Sequence, residues 1–501
     1  MTEITPDCSS AERQVGLTFA NFRASIDKSI SDGTLANGVI GKDALIDGPC
    51  GPHRLLYADY AASGRALRHV EDFVLNHVLP YYANPHTQAS FCGQEINALR
   101  AEARRTIAQL CQADKECEVI FAGSGATAGL GKLVRLFSAD AKAKGGECPL
   151  VIHGPYEHHS NLLPWRESGA EVIEIPEGSE GGPDLVELNG ALESVGGRMA
   201  ICTFSAGSNV TGKLTDLPAV TRIAKRHNAK IIWDYAGAAP YIPISMMPAD
   251  DAPVDAIVFS PHKLIGGVAS SGVLIVRRSA VTIGRPSVAG GGTVSFVNAH
   301  GQDYHTALSS REEAGTPNVV ADIRAALALL IRDGMTQAGL DAKHREYTRR
   351  ALARWQKNRH IEVLGDGEAP RLPIISFRLR DGTGGWLHHQ LVTRLLSDLY
   401  GIQARGGCGC AGPYVHRLLG IDDRQSAKIR AEIQAGNELA KPGFVRVNFS
   451  ALMSEDEVDT ILSAVEALAT QGARWAQFYE VEPASAIFRV RPAVEAKLAD
   501  Y

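Results

Sequence analysis

At 501 residues the chain is long enough for more than one hydrophobic core, so two domains are expected. Its 51 basic and 56 acidic residues give a formal net charge of −5 with no long Lys/Arg block, which argues against nucleic acid or an anionic membrane as partner and for a small ligand. The N-terminus has no basic segment followed by an apolar core, and the longest apolar run suited to a helix, near Ala325–Ile331, is too short to cross a bilayer, so a cytoplasmic location is expected.

Residues 1–55 are polar and punctuated by glycine, with one helix expected around Glu12–Ile30 and no recognisable chemistry. Leu55–Gly64 reads as a short strand entering a turn, followed by an amphipathic helix from about Leu67 to Val78 and by the polar loop Tyr81–Gln88. A second helix, at about Ala98–Cys111, leads to the strand Glu118–Ala122 and then to Gly123-Ser-Gly-Ala-Thr-Ala-Gly129, which opens an apolar helix through Phe137. Strand, glycine turn and helix N-terminus make an anion cradle: free backbone N–H groups and the positive end of the helix dipole suit a phosphate, and Thr127 adds a hydroxyl. The same glycines also serve a tight turn that holds no ligand.

Further strands are expected at Leu150–Ile152, Met199–Phe204 and Ala229–Asp234. After the first of them, Tyr156-Glu-His-His-Ser-Asn161 sets two histidines side by side; their side chains point in different directions, so at most one faces a site. The continuous apolar run Val254–Phe259, bounded by Pro253 and Pro261, reads as a buried, parallel strand that ends on Ser260-Pro-His-Lys263. Active sites of open α/β sheets lie just beyond the carboxyl ends of such strands. Lys263 there is either half of a surface ion pair or an amine whose pKa desolvation lowers until it attacks a carbonyl and forms an imine. Asp234, ending the preceding strand, is correspondingly either an ion-pair partner or the carboxylate that holds a pyridinium nitrogen. Amine, carboxylate and phosphate cradle together are the anchors that pyridoxal 5′-phosphate requires.

Beyond a long helix at about Val320–Arg332, a smaller α+β region is expected, with strands at Pro373–Arg378 and Phe444–Phe449 and helices at Leu387–Leu399 and Glu455–Thr470. Ser454-Glu-Asp-Glu457 is a capping box for the last helix. Residues 420–443 read as a polar helical insertion, and the sequence is silent on 473–501. The expected division is a large cofactor-binding domain over 66–332 and a small domain made of 1–65 and 333–501, with an N-terminal arm and a C-terminal tail. Nine scattered cysteines, an odd number, argue against a disulfide framework. Cys408 and Cys410 stand close together with no second pair at zinc-like spacing, so no metal site is expected, and one of them could be a working thiol.

On these residues the chain resembles the class V aminotransferase family of pyridoxal-phosphate enzymes, in particular the cysteine desulfurases and their molybdenum-cofactor sulfurase relatives. The resemblance runs from about Tyr57 to Ala469, through Tyr57–Ser63, Gly125-Ala-Thr127, Glu157–Asn161, Ser208–Gly212, Asp234-Tyr-Ala236, Ser260–Lys263, Glu313–Asn318, Arg405–Ala411 and Val445–Phe449. It implies an α/β protein of fold-type I, with a mostly parallel seven-stranded sheet sandwiched by helices and a smaller α+β domain. It also implies roles. Lys263 would carry the cofactor as a Schiff base, give it up to substrate as the external aldimine forms, and shuttle the Cα proton. Asp234 would pair with the ring nitrogen, and His158 would stack on the ring and help with proton transfer. Gly125, Ala126 and Thr127, with Ser260 and His262, would hold the phosphate. Asn209 would lie near the ring oxygen and the substrate carboxylate, which Arg446 would clamp through two parallel hydrogen bonds. Thr316 would reach the phosphate of a partner subunit, implying a homodimer with shared active sites. Cys410, spaced from Arg405 as the family's nucleophile is, would take sulfur from L-cysteine or a related amino acid as a persulfide, releasing alanine, and a sulfur-acceptor protein could follow. Arg405 and the glycine-rich backbone would favour its thiolate, while Cys408 would assist, resolve or merely pack. Two departures, Gly237 where desulfurases place a glutamine and Ala128 where they place a glutamate, bear on substrate and reaction rather than on the cofactor. They keep open an aminotransferase, epimerase or C–S lyase that does not use Cys410, and a non-catalytic binding protein.

Overall fold

The computed structural model describes residues 8–85, 87–143, 148–365, 367 and 369–492. Seven strands form its large sheet: β1 (Cys117–Phe121), β2 (Leu150–His153), β3 (Glu171–Glu174), β4 (Ala200–Ser205), β5 (Lys230–Asp234), β6 (Ala256–Phe259) and β7 (Val273–Arg277), in spatial order β1-β7-β6-β5-β4-β2-β3. Only β7 runs antiparallel to its neighbours. Every residue of β2, β4 and β6 is buried, the near-continuous apolar pattern of strands covered on both faces.

The covering helices follow the two-residue alternation of the strands. Val119, Phe121, Leu150, Ile152, Cys202, Trp233 and Ile257 face a layer made by α1 (Cys8–Ser31), α2 (Phe91–Leu110) and helices further along the chain. Ile120, Val151, Ile201, Ile232, Val258 and Leu274 face the opposite layer, made by α3 (Gly125–Ala143) and by Trp165 of α4 (His159–Glu167). The first layer is completed by α5 (Leu185–Glu193), α6 (Leu217–Arg226) and α7 (Val319–Gln337). The N-terminal helix, expected with the small domain, instead buries Phe19, Phe22 and Ile26 in this large core against α2 and α7. Gly334 of α7 lies where α1 presses in: a Cβ there would stand 3.1 Å from Asp27 Oδ1.

The smaller core surrounds an antiparallel sheet of β8 (Ile361–Val363), β9 (Ile374–Leu379), β10 (Arg405–Gly407) and β11 (Phe444–Asn448), ordered β8-β9-β11-β10. It is packed by α8 (Asp341–Trp355), α9 (His389–Tyr400) and α12 (Glu455–Ala476). Between β10 and β11 lie α10 (Gly412–Leu418) and α11 (Asp423–Gln434), the latter in the polar insertion. Leu56, Ala58 and Tyr60 belong to this small core, whereas Ala61 and Leu67 belong to the large one, so Asp59 stands where the chain crosses between them. Leu56–Tyr57 pairs in parallel with Ile402–Gln403.

Several element ends differ from the sequence expectation. α2 begins at Phe91 because the Ser90 side chain accepts the Gly93 N–H (3.2 Å), a cap earlier than the apolar periodicity suggested. α12 opens on the expected reciprocal cap of Ser454 and Glu457 but runs on to Ala476. In the segment on which the sequence was silent, Tyr479–Glu482 and Ile487–Val490 form a hairpin. His86 of the polar loop Tyr81–Gln88 lies outside the described residues. Among the described residues no helix is long and apolar enough to cross a membrane, and no cluster of His, Cys, Asp or Glu could hold a metal ion.

Candidate active site

Adjacent parallel strands deliver the two central groups. β5 ends on Asp234, which pairs in register with Val258 of β6, and β6 passes through Ser260 into a single helical turn, Pro261–Lys263. These ends border a cleft of about 200 Å³ between strand ends and helix N-termini. Burial pulls the Lys263 amine down to about 8, against the opposing pull of Asp234. Asp234 is 4% exposed, and burial raises its carboxyl, offset in part by the Ala236 N–H that donates to Oδ1 (2.8 Å) and by Lys263. A buried carboxylate with so little compensation favours a cationic partner in the cleft.

At one end of the cleft, Gly125 starts α3 at φ +65°. A Cβ there would lie 2.8 Å from Ser260 Oγ and 2.9 Å from His262 Cε1, so the backbone approaches the strand end only because the residue is glycine. The Ala126 N–H donates to Ser260 Oγ (2.9 Å), and the hydroxyls of Thr127 and Ser160 share a hydrogen bond (2.7 Å). Hydroxyls, the His262 imidazole and a helix N-terminus therefore converge on one anion-sized corner.

His158 caps α4: its Nδ1 accepts the Ser160 N–H (3.1 Å), and the ring borders the cleft. Burial, with Lys263 and His159 nearby, pulls its imidazole down to about 4, so the ring is neutral at pH 7. The preceding Glu157 fixes this segment to the sheet. Its carboxyl oxygens accept from Asn161 Nδ2 (2.5 Å), the Ser205 N–H (2.9 Å) and the Ser205 hydroxyl (2.8 Å), while burial pushes the carboxyl up to about 8.

At the other end, Arg446 of β11 is 4% exposed, and burial lowers its pKa against the pull of Asp59. Its Nη1 donates to the Asn209 C=O (3.0 Å) and its Nη2 to Asp59 Oδ1 (3.4 Å), leaving a buried Nε without a partner. Arg405 Nε donates to Asp59 Oδ2 (2.8 Å), so the same carboxylate engages both arginines. Asp59 stood inside the quoted Tyr57–Ser63 segment without a role. Its signal was a lone carboxylate in an apolar strand.

Asn209 Nδ2 donates to the Gly409 C=O (2.7 Å), next to Cys410. Cys410 is exposed and adopts φ +54°. Asn209 lines the cleft with Asp234 and Lys263, so its bonds to the Gly409 C=O and from Arg446 set the Cys410 turn and that arginine beside it. Cys408 is partly buried and packs against the cluster of Tyr156, Val210 and Tyr414. Thr316 stays outside the cleft of its own chain, exposed in the Glu313–Asn318 loop before α7. That loop is anchored by Glu313. Burial alone would raise the Glu313 carboxyl, but Arg104 and Arg100 hold it below the usual carboxylate range.

The donor set fits pyridoxal 5′-phosphate. A hydroxyl-rich helix N-terminus suits its phosphate, an under-compensated buried carboxylate its ring nitrogen, a neutral imidazole its face, and a desolvated amine its aldehyde. Gly237 lines the same cleft, and a Cβ at that position would sit 3.5 Å from Asn209 Cβ, in ordinary contact.

The chain is similar to known proteins in sequence and in fold. A "Probable cysteine desulfurase" of Vibrio cholerae is 26% identical over 415 residues, 82% of this chain and 93% of that protein. The "Cysteine desulfurase CsdA" of Escherichia coli is 27% identical over 394 residues, 76% of this chain and 86% of that protein. The solved cysteine desulfurase of Thermococcus onnurineus superposes with a TM-score of 0.67 at 22% identity, covering 83% of this chain and 94% of that one, which shows the fold. The fold is that of the fold-type I pyridoxal-phosphate enzymes. Residues 56–461 match the aminotransferase class-V family, whose members generally use pyridoxal phosphate. The chain belongs to the aminotransferase class-V family.

Proposed function

We propose that this protein binds pyridoxal 5′-phosphate and removes sulfur from L-cysteine or a related sulfur amino acid, leaving it on Cys410 as a persulfide and releasing alanine. The observation that carries the reading is Cys410, an exposed thiol on a turn that Asn209, a lining residue of the cleft beside Lys263, holds through the Gly409 C=O (2.7 Å). The named relatives support the same substrate class.

Bound in the cleft, the cofactor supplies an electron sink for the bonds at the substrate's α and β carbons. Asp234 holds the ring nitrogen in its protonated form, and the neutral His158 ring covers the ring face. Arg446, its guanidinium held by Asp59 and the Asn209 C=O, receives the substrate carboxylate. Lys263 takes the Cα proton as a base, which its lowered pKa permits near neutrality. The Cys410 thiolate then attacks the substrate sulfur: an S–S bond forms, the C–S bond breaks with its electron pair on Cβ, Cβ takes up a proton, and the proton held by Lys263 returns to Cα before alanine leaves. A sulfur-acceptor protein then collects the persulfide sulfur. The active unit is a homodimer in which Thr316 reaches the phosphate site of the partner subunit. Its exposure on an anchored loop, outside its own chain's cleft, supports this.

The test is incubation of the holoenzyme with L-cysteine and mass analysis of the Cys410 peptide. One added sulfur atom and stoichiometric alanine are expected, and both are lost in Cys410→Ala. Alanine production that survives in Cys410→Ala would sink the reading. It would favour the second one, a class V lyase, epimerase or aminotransferase that leaves Cys410 idle, for which the open side of the cleft at Gly237 speaks.

A further inference from the structure

The turn that carries Cys410 is held through its backbone by His159, the neighbour of His158. His159 donates its backbone N–H to the Cys410 C=O (2.8 Å), and its Nε2 accepts the N–H of Gly412 (3.1 Å). Both bonds come from the residue that directly follows His158, so the Cys410 turn is tied to the segment that borders the cleft at His158. An Nε2 that accepts belongs to a ring with no proton there, and burial, with Arg166 nearby, lowers the imidazole pKa in keeping with this.

The turn requires such holding. Cys410 sits at φ +54° after Gly409 at +61°, and a side chain in the left-handed region persists only where the surroundings over-determine it. On the near side Asn209 Nδ2 fixes the Gly409 C=O (2.7 Å). Behind, Tyr414 of α10 packs edge-on against Tyr156, ring centroids 4.9 Å apart. His159 supplies the contacts at Cys410 itself and just after it.

We propose that His159 is a positioning residue that sets where the Cys410 sulfur stands over the cleft, acting through the backbone at Cys410 and Gly412. The proposal rests on the desulfurase reading and deepens it. The attacking sulfur must approach along the C–S bond that breaks, and misplacing a reacting atom by an ångström slows such a step steeply. No oxidant or reductant beyond thiol and substrate is involved, since the sulfur passes from carbon to sulfur and the carbon is protonated.

Three variants of the holoenzyme test it. His159→Ala removes only the ring acceptor, because its backbone N–H remains. His159→Gln can present a carbonyl oxygen to the Gly412 N–H and is the rescue. Gly412→Ala pushes from the opposite side, since the added Cβ would stand 3.2 Å from His159 Nε2. Hydrogen exchange of the 409–414 segment is expected to quicken about fivefold or more in His159→Ala and in Gly412→Ala, and to return towards the parent rate in His159→Gln. With L-cysteine, kcat for alanine release is expected to fall about tenfold or more in His159→Ala with KM nearly unchanged, and to recover in His159→Gln. Unchanged exchange overturns the tether. Faster exchange with an unchanged kcat, or no rescue by glutamine, overturns the positioning role. Alanine release that persists in Cys410→Ala overturns the desulfurase reading itself. Exchange does not depend on turnover, so that failure is told apart from failure of the tether.

Discussion

Lys263 is the residue whose chemistry depends most on its surroundings. Its amine lies at about 8, chiefly because burial disfavours the ammonium form. The free amine is what captures an aldehyde, so reconstitution of apoprotein with pyridoxal phosphate should speed up about tenfold per pH unit below 8 and level off above it. Stopped-flow absorbance at several pH values measures this, and a rise continuing to pH 10 would show an unperturbed lysine. The linkage has the same sign. The folded pKa is depressed below the unfolded value near 10.5, so the unfolded chain binds more protons between pH 8 and 10.5, and this group's contribution to stability grows as pH rises through that window. Asp59 makes a second prediction. Asp59→Asn leaves the buried Arg446 without its carboxylate and should cost about 3 kcal/mol in denaturant unfolding. Arg405→Ala, whose side chain is 57% exposed, should cost about 1 kcal/mol or less. The main anchors were legible because each ends an apolar run: Asp234 after β5, Lys263 after β6. Asp59, Ser160 and His159 were not, since their roles come from partners far away in the chain, which no local pattern encodes.

At the scale of elements, the phosphate corner depends on how closely α3 can approach β6. Gly125→Ala puts a Cβ against Ser260 and His262 at a positive φ, so it should cost about 1–3 kcal/mol of stability and weaken cofactor retention. Dialysis against buffer, followed by absorbance of the retained cofactor, reads the second effect. Retention equal to the parent would show that the close approach is not needed. Five of the seven strands of the large sheet were visible as apolar runs; β3, exposed or half-buried along its length, and β7 were not read from the sequence. Element ends were less legible. α2 starts where Ser90 caps it, ahead of its apolar stripe, and α7 continues through Gly334 because α1 packs there. The placement of α1 itself depends on Phe19, Phe22 and Ile26 finding the large core, a tertiary choice that an amphipathic stripe leaves undecided.

For the whole molecule, the question is what completes the site. Leu75, Leu79, Tyr81, Tyr82 and Phe91 are exposed, Phe91 at 62%, and the rings of Tyr81 and Phe91 meet edge-on at 5.7 Å. Isolated exposed apolar side chains are ordinary, but large ones gathered near the start of α2 form a patch of the kind that subunit contacts cover. Thr316 is exposed on a loop pinned by the ion pairs of Glu313 with Arg100 and Arg104. If the homodimer forms over this patch, Phe91→Asp should weaken association about tenfold or more, because a charge replaces an aromatic anchor in a desolvated contact. Its own fold should be unaffected, since Phe91 lies outside the core. Light scattering across a dilution series gives the dissociation constant, and cofactor retention on the same samples should fall in step with the dimer fraction. Thr316→Ala should weaken retention while leaving the dimer intact. A parent protein that is monomeric at micromolar concentration and still retains its cofactor would remove both the dimer and the role of Thr316.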